Sequence, residues 1–326
     1  MALRSGLAAQ LGFAAETTWG TYQTPDHFVE FVSEQMKLDR TRTLAKGIRP
    51  NKTVPRSQRF RTTKIQAGGT INLEANSNSF GLLFKHMLGA SAQIADGAGY
   101  KRSYTLADPF GLGLTVQIGT VAITGSVLTR SYLGCKVTDW ELATQIDSPL
   151  NLTLTLDAVN EDTTQSLATA SYASNTTSEV FFADECALTI AGSTLKTYDF
   201  KISGKNNSKV DRFYVGSQYK GEPILNAYRD LTGTITADFN DFTIYNYFTQ
   251  DNTATGSIVL TATGAKTYDT NKPNKIVVTI PVIRYDGESP MVTGPDLVRQ
   301  TIPFTIMDDD TQVPIQIDYY TKDSAD

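Results

Sequence analysis

The chain is poor in the residues from which most catalytic and metal sites are made. Its 326 residues include two cysteines, Cys135 and Cys186, and two histidines, His27 and His86. Zinc sites built from Cys and His clusters cannot be assembled within one such chain, and neither can a disulfide scaffold. Both cysteines are expected to be reduced, buried small hydrophobes. No stretch approaches about 18 consecutive apolar residues, so no membrane-spanning helix is expected. The segment before Glu16 holds one cation, Arg4, and no apolar run of the length a secretory signal needs. Synthesis in a cytoplasm is therefore the expectation. Net charge is small, with 29 basic against 34 acidic residues. That balance excludes a globally basic nucleic-acid binder and a highly charged tail.

Catalytic motifs are also missing. A Ser–His–Asp triad would have to use His27 or His86. His86 lies among Phe84, Met87 and Leu88 on an amphipathic stretch, and His27 follows Pro25-Asp26 at a strand start; both read as structural. Asp308-Asp309-Asp310 falls between two alternating stretches and reads as a solvated hairpin turn rather than a cation site. Gly97-Ala98-Gly99 and Gly111-Leu112-Gly113 fit no phosphate-loop pattern, and no helical pattern follows them. No enzyme, cofactor or metal is expected.

What the sequence does have is alternation. Leu150, Leu152, Leu154 and Leu156 alternate with Asn151, Thr153, Thr155 and Asp157. Ile65, Ala67, Gly69, Ile71, Leu73 and Ala75 alternate with polar or small residues. Ile302, Phe304 and Ile306 do so again, as do Val313, Ile315, Ile317 and Tyr319. A period of two marks strands with one buried and one wet face, so the fold class is mainly β and antiparallel. Helical spacing is scarce. Phe80, Leu83, Phe84, Met87 and Leu88 share one helical face, and Gly89 stands where a C-terminal glycine would stop the helix. Ile244, Tyr247 and Phe248 give a weaker second case after Asn240.

The two helices expose a repeat. Residues 30–88, shifted by 164, fall on 194–252 without a gap: Glu30–Arg40 on Thr194–Gly204, Gly69-Thr70-Ile71 on Gly233-Thr234-Ile235, Asn76 on Asn240, Phe84 on Phe248. Identities are few; the constant order of strand, long loop, strand and helix carries the match. At 326 residues the chain suits two domains. These are a first domain, 1–160, with an N-terminal arm and a long basic loop at 40–64, then a linker at 161–183 and a second domain, 184–326. The basic loop is the main charge asymmetry. Arg40, Arg42, Lys46, Arg49, Lys52, Arg56, Arg59, Arg61 and Lys64 are nine cations with no acid among them, which leaves the rest of the chain at −14. Only Phe60 offers a base a stacking surface, so a protein partner with an acidic face is favoured over nucleic acid.

The sequence resembles the major tail tube proteins of long, non-contractile (siphovirus-type) bacteriophage tails. The resemblance is carried by Gly6-Leu7-Ala8-Ala9-Gln10-Leu11-Gly12 with Glu16-Thr17-Thr18-Trp19-Gly20-Thr21, by Phe80-Gly81-Leu82-Leu83-Phe84-Lys85-His86-Met87-Leu88-Gly89, and by Gly134-Cys135-Lys136-Val137-Thr138-Asp139-Trp140-Glu141-Leu142. Glu222-Pro223, Tyr228-Arg229-Asp230-Leu231-Thr232-Gly233-Thr234 and Arg284-Tyr285-Asp286-Gly287 continue it. It implies two tandem tail-tube-like β-sandwich or barrel-forming domains, each with one short helix, assembling into a multi-chain β-barrel. It also implies rings that stack into a tube in the virion tail, through which DNA passes without specific binding, and partners in a tape measure protein and a tail terminator. A barrel of 16–18 strands leaves only an aqueous channel, so a duplex needs more. Four wall strands per half make the expected ring a trimer with pseudo-sixfold symmetry, and the alternative a hexamer. A lumen of acids and neutral polars is expected, with Asn72, Glu74, Asp139, Glu141, Thr153, Thr155, Asp157 and Asp238 as candidates. The basic loop is expected to dock on a neighbouring subunit in the adjacent ring, burying Leu44, Ile48, Val54 and Phe60 there. The alternative reading is a β-sandwich binding module or adhesin of a phage particle.

Overall fold

The computed structural model describes residues 3–249, 257–287, 289–292 and 294–323. The strands of the first half are β1 (Gln10–Glu16), β2 (His27–Val29), β3 (Ser33–Glu34), β4 (Lys37–Leu44), β5 (Phe60–Glu74), β6 (Gly89–Asp96), β7 (Gly99–Leu106), β8 (Gly113–Val121), β9 (Val127–Gln145), β10 (Asn151–Ala158) and β11 (Asn160–Asp162). Those of the second half are β12 (Cys186–Ile190), β13 (Ser193–Leu195), β14 (Thr197–Lys205), β15 (Ser208–Lys209), β16 (Ile224–Leu225), β17 (Asp230–Asp238), β18 (Ile258–Asp269), β19 (Lys272–Ile280), β20 (Ile283–Tyr285), β21 (Arg299–Ile306) and β22 (Gln316–Thr321). Helix α1 (Gly81–Leu88) follows β5, and α2 (Thr243–Thr249) follows β17. All the strand ladders are antiparallel.

Two open sheets face each other, and no barrel closes within the described chain. The larger contains the path β4-β5-β10-β9-β14-β17-β21-β20, with β3 beside β5; β8, β1 and β2 branch off the N-terminal part of β9. The other runs β13-β12-β18-β19-β22-β7-β6. Alternation puts one row of each sheet into the space between them. Leu73, Leu152, Leu142, Ile202, Gly233, Phe304 and Tyr285 are successive partners across seven strands and form one such apolar row. Each large aliphatic or aromatic side chain in it is buried, which stabilises the fold by about 1.5–3 kcal/mol apiece. Phe84 of α1 meets Tyr104 and Tyr319 of the second sheet, with ring centroids 5.7 and 5.6 Å away.

The repeat is visible in strand register. Lys37, Gly68, Asp157 and Lys136 are successive partners across β4-β5-β10-β9. Ser203, Thr232, Thr305 and Arg284 hold the same places across β14-β17-β21-β20. Adding 166 to the β4 number, 164 to β5 and 148 to β10 and β9 turns one row into the other. The two units are joined edge to edge by β9 and β14, with seven partner pairs from Gln145↔Asp199 to Asp139↔Lys205.

Three sequence expectations change in detail. The 40–64 stretch is not a loop throughout: β4 and β5 pair out to Leu44↔Phe60, leaving only a tip at 45–59. The strand expected from Val313 begins at Gln316, because Pro314 has no N–H to give a ladder. The 161–183 stretch lies against the body. Phe181 is fully buried, its N–H bonds the Ala75 carbonyl at 3.0 Å, and its carbonyl takes the Leu150 N–H at 2.8 Å.

Gly89 ends α1 with φ 116°, and its N–H bonds the Lys85 carbonyl. A Cβ there would lie 2.3 Å from the Ala107 carbonyl oxygen. Gly89→Ala is therefore expected to lower unfolding free energy by about 1–3 kcal/mol, the usual cost of a forced backbone, read as a lower urea midpoint.

Candidate functional site

The face of the eight-strand path turned away from the second sheet is polar from edge to edge. Ser33, Asn72, Thr153, Glu141, Ser203, Thr232, Thr305 and Arg284 are successive partners across it. Side chains along this row bond one another: Asn72 Nδ2 to Ser33 Oγ at 2.7 Å, and Thr153 Oγ1 to Asn72 Oδ1 at 3.0 Å. Glu141 pairs with Lys201 at 2.5 Å. The next row runs Thr70, Thr155, Asp139, Lys205 and Asp230. The structure thus brings Asn72, Asp139, Glu141, Thr153 and Thr155 together on one half-exposed surface. Glu74 lies beside Asn151 in the row beyond. Asp238 sits at the far end of β17, where Tyr198 donates to it at 2.8 Å. On this face Glu74, Asp139, Glu141, Asp199, Asp230, Asp238 and Asp286 outnumber Lys37, Lys201, Lys205, Arg284 and Arg299.

Asp157 shares that face but is covered. The segment between β14 and β17 folds back over the first half, and Lys220 from it forms a buried ion pair with Asp157. The Ile65 N–H bonds the Gln218 carbonyl at 2.9 Å. Lys136 is tied to Glu222 at 2.6 Å and to the Pro109 carbonyl at 2.5 Å. Burial pushes the Asp157 carboxyl above its ordinary value, with Lys220 opposing. Burial likewise pulls the Lys136 ammonium down, opposed by Glu222. Sequence reading did not find Lys220 and Glu222 as partners. Nothing local marks them, because the contact spans 63 residues for Asp157–Lys220 and 86 for Lys136–Glu222.

The matching segment of the first half behaves differently. The β4–β5 ribbon and its tip are exposed: Ile48 is fully so, Val54 largely so, and Leu44 and Phe60 are a little under half exposed. Among the described residues none of Arg40, Arg42, Lys46, Arg49, Lys52, Arg56, Arg59 and Arg61 forms an ion pair. Lys64 lies over the Phe213 ring, 4.9 Å from its centre.

A family comparison covers almost the whole of this architecture, matching residues 6–306 to a model described as phage tail tube protein. The chain belongs to that family. No curated protein matches it. As a tail tube protein it is a structural, non-enzymatic subunit of the virion tail. Among the described residues no group of three His, Cys, Asp or Glu is placed to hold a metal, and no helix is long and apolar enough to cross a membrane. His86 is buried in α1 and His27 pairs with Asp26. Asp308 and Asp309 accept N–H groups of their own turn. Burial raises the Cys135 thiol far above its ordinary value and pushes Cys186 up to about 12, so neither is a thiolate at neutral pH.

Lys220→Met leaves the Asp157 carboxylate buried without its cation. The expected loss is about 3–5 kcal/mol of unfolding free energy at pH 7. The folded-state carboxyl is raised, so it takes up a proton at a higher pH than it does in the unfolded chain. Acidification toward its ordinary value of 3.8 should therefore restore part of the loss, and Asp157→Asn in the same chain should restore part of it at pH 7. Denaturant titrations across pH check both.

Proposed function

We propose that this chain is the major tail tube protein of a long, non-contractile phage tail, synthesised in the host cytoplasm. Its eight-strand polar face lines the conduit for viral DNA. The observation that carries this reading is the unbroken polar row from Ser33 to Arg284, backed by the apolar row from Leu73 to Tyr285 on the sheet's other face. A wall of this kind is wet on one side and anchored on the other. Its excess of acids suits a duplex that slides. A lumen of lysine and arginine would hold phosphates by releasing their counterions.

The repeat supports a trimeric ring. Each half supplies a four-strand unit, so three chains supply about 24 strands, more than the 16–18 that leave only an aqueous channel. The tape measure protein and the tail terminator are the further partners in this reading. The basic tip docks on a neighbouring subunit in the adjacent ring. The acidic remainder of each chain offers its cations partners, but exposed ion pairs contribute only about 0–1 kcal/mol each. The hold therefore comes from burying Ile48, Val54, Leu44 and Phe60.

Electron microscopy of purified protein tests the assembly. Tubes of stacked rings with threefold symmetry are expected; a strict sixfold ring overturns the trimer, and a population that stays monomeric overturns the tube. Replacing residues 45–59 by a short Gly–Ser turn should leave the far-ultraviolet circular dichroism unchanged and stop tube growth. Normal tubes from that variant would remove the tip from the mechanism.

A further inference from the structure

We propose that Lys220 and Asp157 join covalently, the Lys220 amine condensing with the Asp157 carboxyl to an amide that ties the fold-back segment of the second half to the wall of the first. The reactants are already in contact, Lys220 Nζ on Asp157 Oδ1. Among the described residues neither charge has any other polar partner. Lys220 is buried, and its ammonium donates to no second acceptor. Asp157 Oδ2 is buried and takes no hydrogen bond.

The other buried charges of this region are better served. Glu16 takes the Gly20 N–H at 2.6 Å, the Gly134 N–H at 2.7 Å and the Thr115 hydroxyl at 3.0 Å. Lys136 divides its protons between Glu222 and the Pro109 carbonyl, and Glu222 also takes the Gly111 N–H at 2.6 Å. A buried ion pair offsets its desolvation only when further hydrogen bonds satisfy the remaining lone pairs and protons. Asp157 and Lys220 lack those bonds. An amide removes both charges and leaves one carbonyl oxygen and one N–H in their place.

Both groups are also held where they meet. Asp157 lies within β10, between its ladder partners Gly68 and Lys136. Lys220 is fixed from either side: the Gln218 carbonyl takes the Ile65 N–H at 2.9 Å, the Gly221 N–H bonds the Arg212 carbonyl at 2.8 Å, and Lys220 itself bridges to Phe213. Reactants held in attacking geometry behave as if present at about 10⁵–10⁸ M, which favours condensation even though water is the product. Burial pushes the Asp157 carboxyl above its ordinary value, toward the neutral acid that an amine attacks.

The step balances within the pair. A proton passes from the Lys220 ammonium to the Asp157 carboxylate along their contact. The freed lone pair on Nζ attacks Asp157 Cγ. The Cγ–N bond forms, the Cγ–OH bond breaks, and the hydroxyl leaves with one amine proton as water. No oxidant, cofactor or second chain is consumed. The product closes a loop between positions 63 residues apart, and such a cross-link restricts the unfolded chain.

Mass spectrometry of the whole denatured chain tests the bond. Wild-type protein is expected to weigh one water less than its sequence, and its tryptic digest is expected to hold one branched peptide, joined through Asp157 and Lys220. Protein that is folded by circular dichroism, keeps its sequence mass and gives no branched peptide overturns the proposal. So does a lost water without a branch, as an aspartyl succinimide would give. Lys220→Arg is the second variant. It keeps a cation beside Asp157 and removes the amine, so the full sequence mass is expected. A water still lost from it, or a branch in wild type that fragmentation places on another lysine, overturns the assignment.

Discussion

The pairing of β9 with β14 sets which way both halves of the chain face. A strand shifted by one residue turns every side chain to the other side, so the alternating patterns of the two halves share one core only if this joint has the right parity. Seven pairs fix it, from Gln145↔Asp199 to Asp139↔Lys205. With that register, Leu142 and Ile202 meet on the buried side while Glu141 and Ser203 meet on the wet side. Every row of the wall inherits its face from this seam.

Much of this was legible from residue order. Alternation marked β5, β10 and β21 because each has one face on a core and one in water, and period two survives only under that condition. Gly89 announced the end of α1 because few other residues adopt its φ. The offset of 164 holds between the paired rows of β5 and β17, but β4 maps onto β14 with 166, so the ungapped match of Glu30–Arg40 to Thr194–Gly204 is two residues out. The arm was less legible. Arg40, Arg42 and Arg61 lie on strand segments that are wet on both faces, and Arg59 lies in the tip, so no alternation marks them, and the ribbon reads as a loop. The cover over Asp157 was not legible at all. Lys220 reaches it through a fold-back of the chain, which neither periodicity nor charge spacing records.

The two connections after the first wall strand of each unit have diverged while their strands have kept register. The one between β14 and β17 carries Lys220 and Glu222 into buried pairs with Asp157 and Lys136. The one between β4 and β5 carries unpaired cations and exposed apolar side chains. A repeated scaffold thus keeps one connection for internal cohesion and leaves the other outward. The asymmetry is written in side chains rather than in backbone.

The position of β22 has a consequence for the order of synthesis. It lies between β19 of the second half and β7 of the first, so the outer sheet is two fragments until Gln316–Thr321 is in place. Its Ile317 and Tyr319 are fully buried. All the strands of the eight-strand path therefore precede the one strand that joins the two fragments of the second sheet. Among the described strands, the one latest in chain order is the one that fastens the first half to the second.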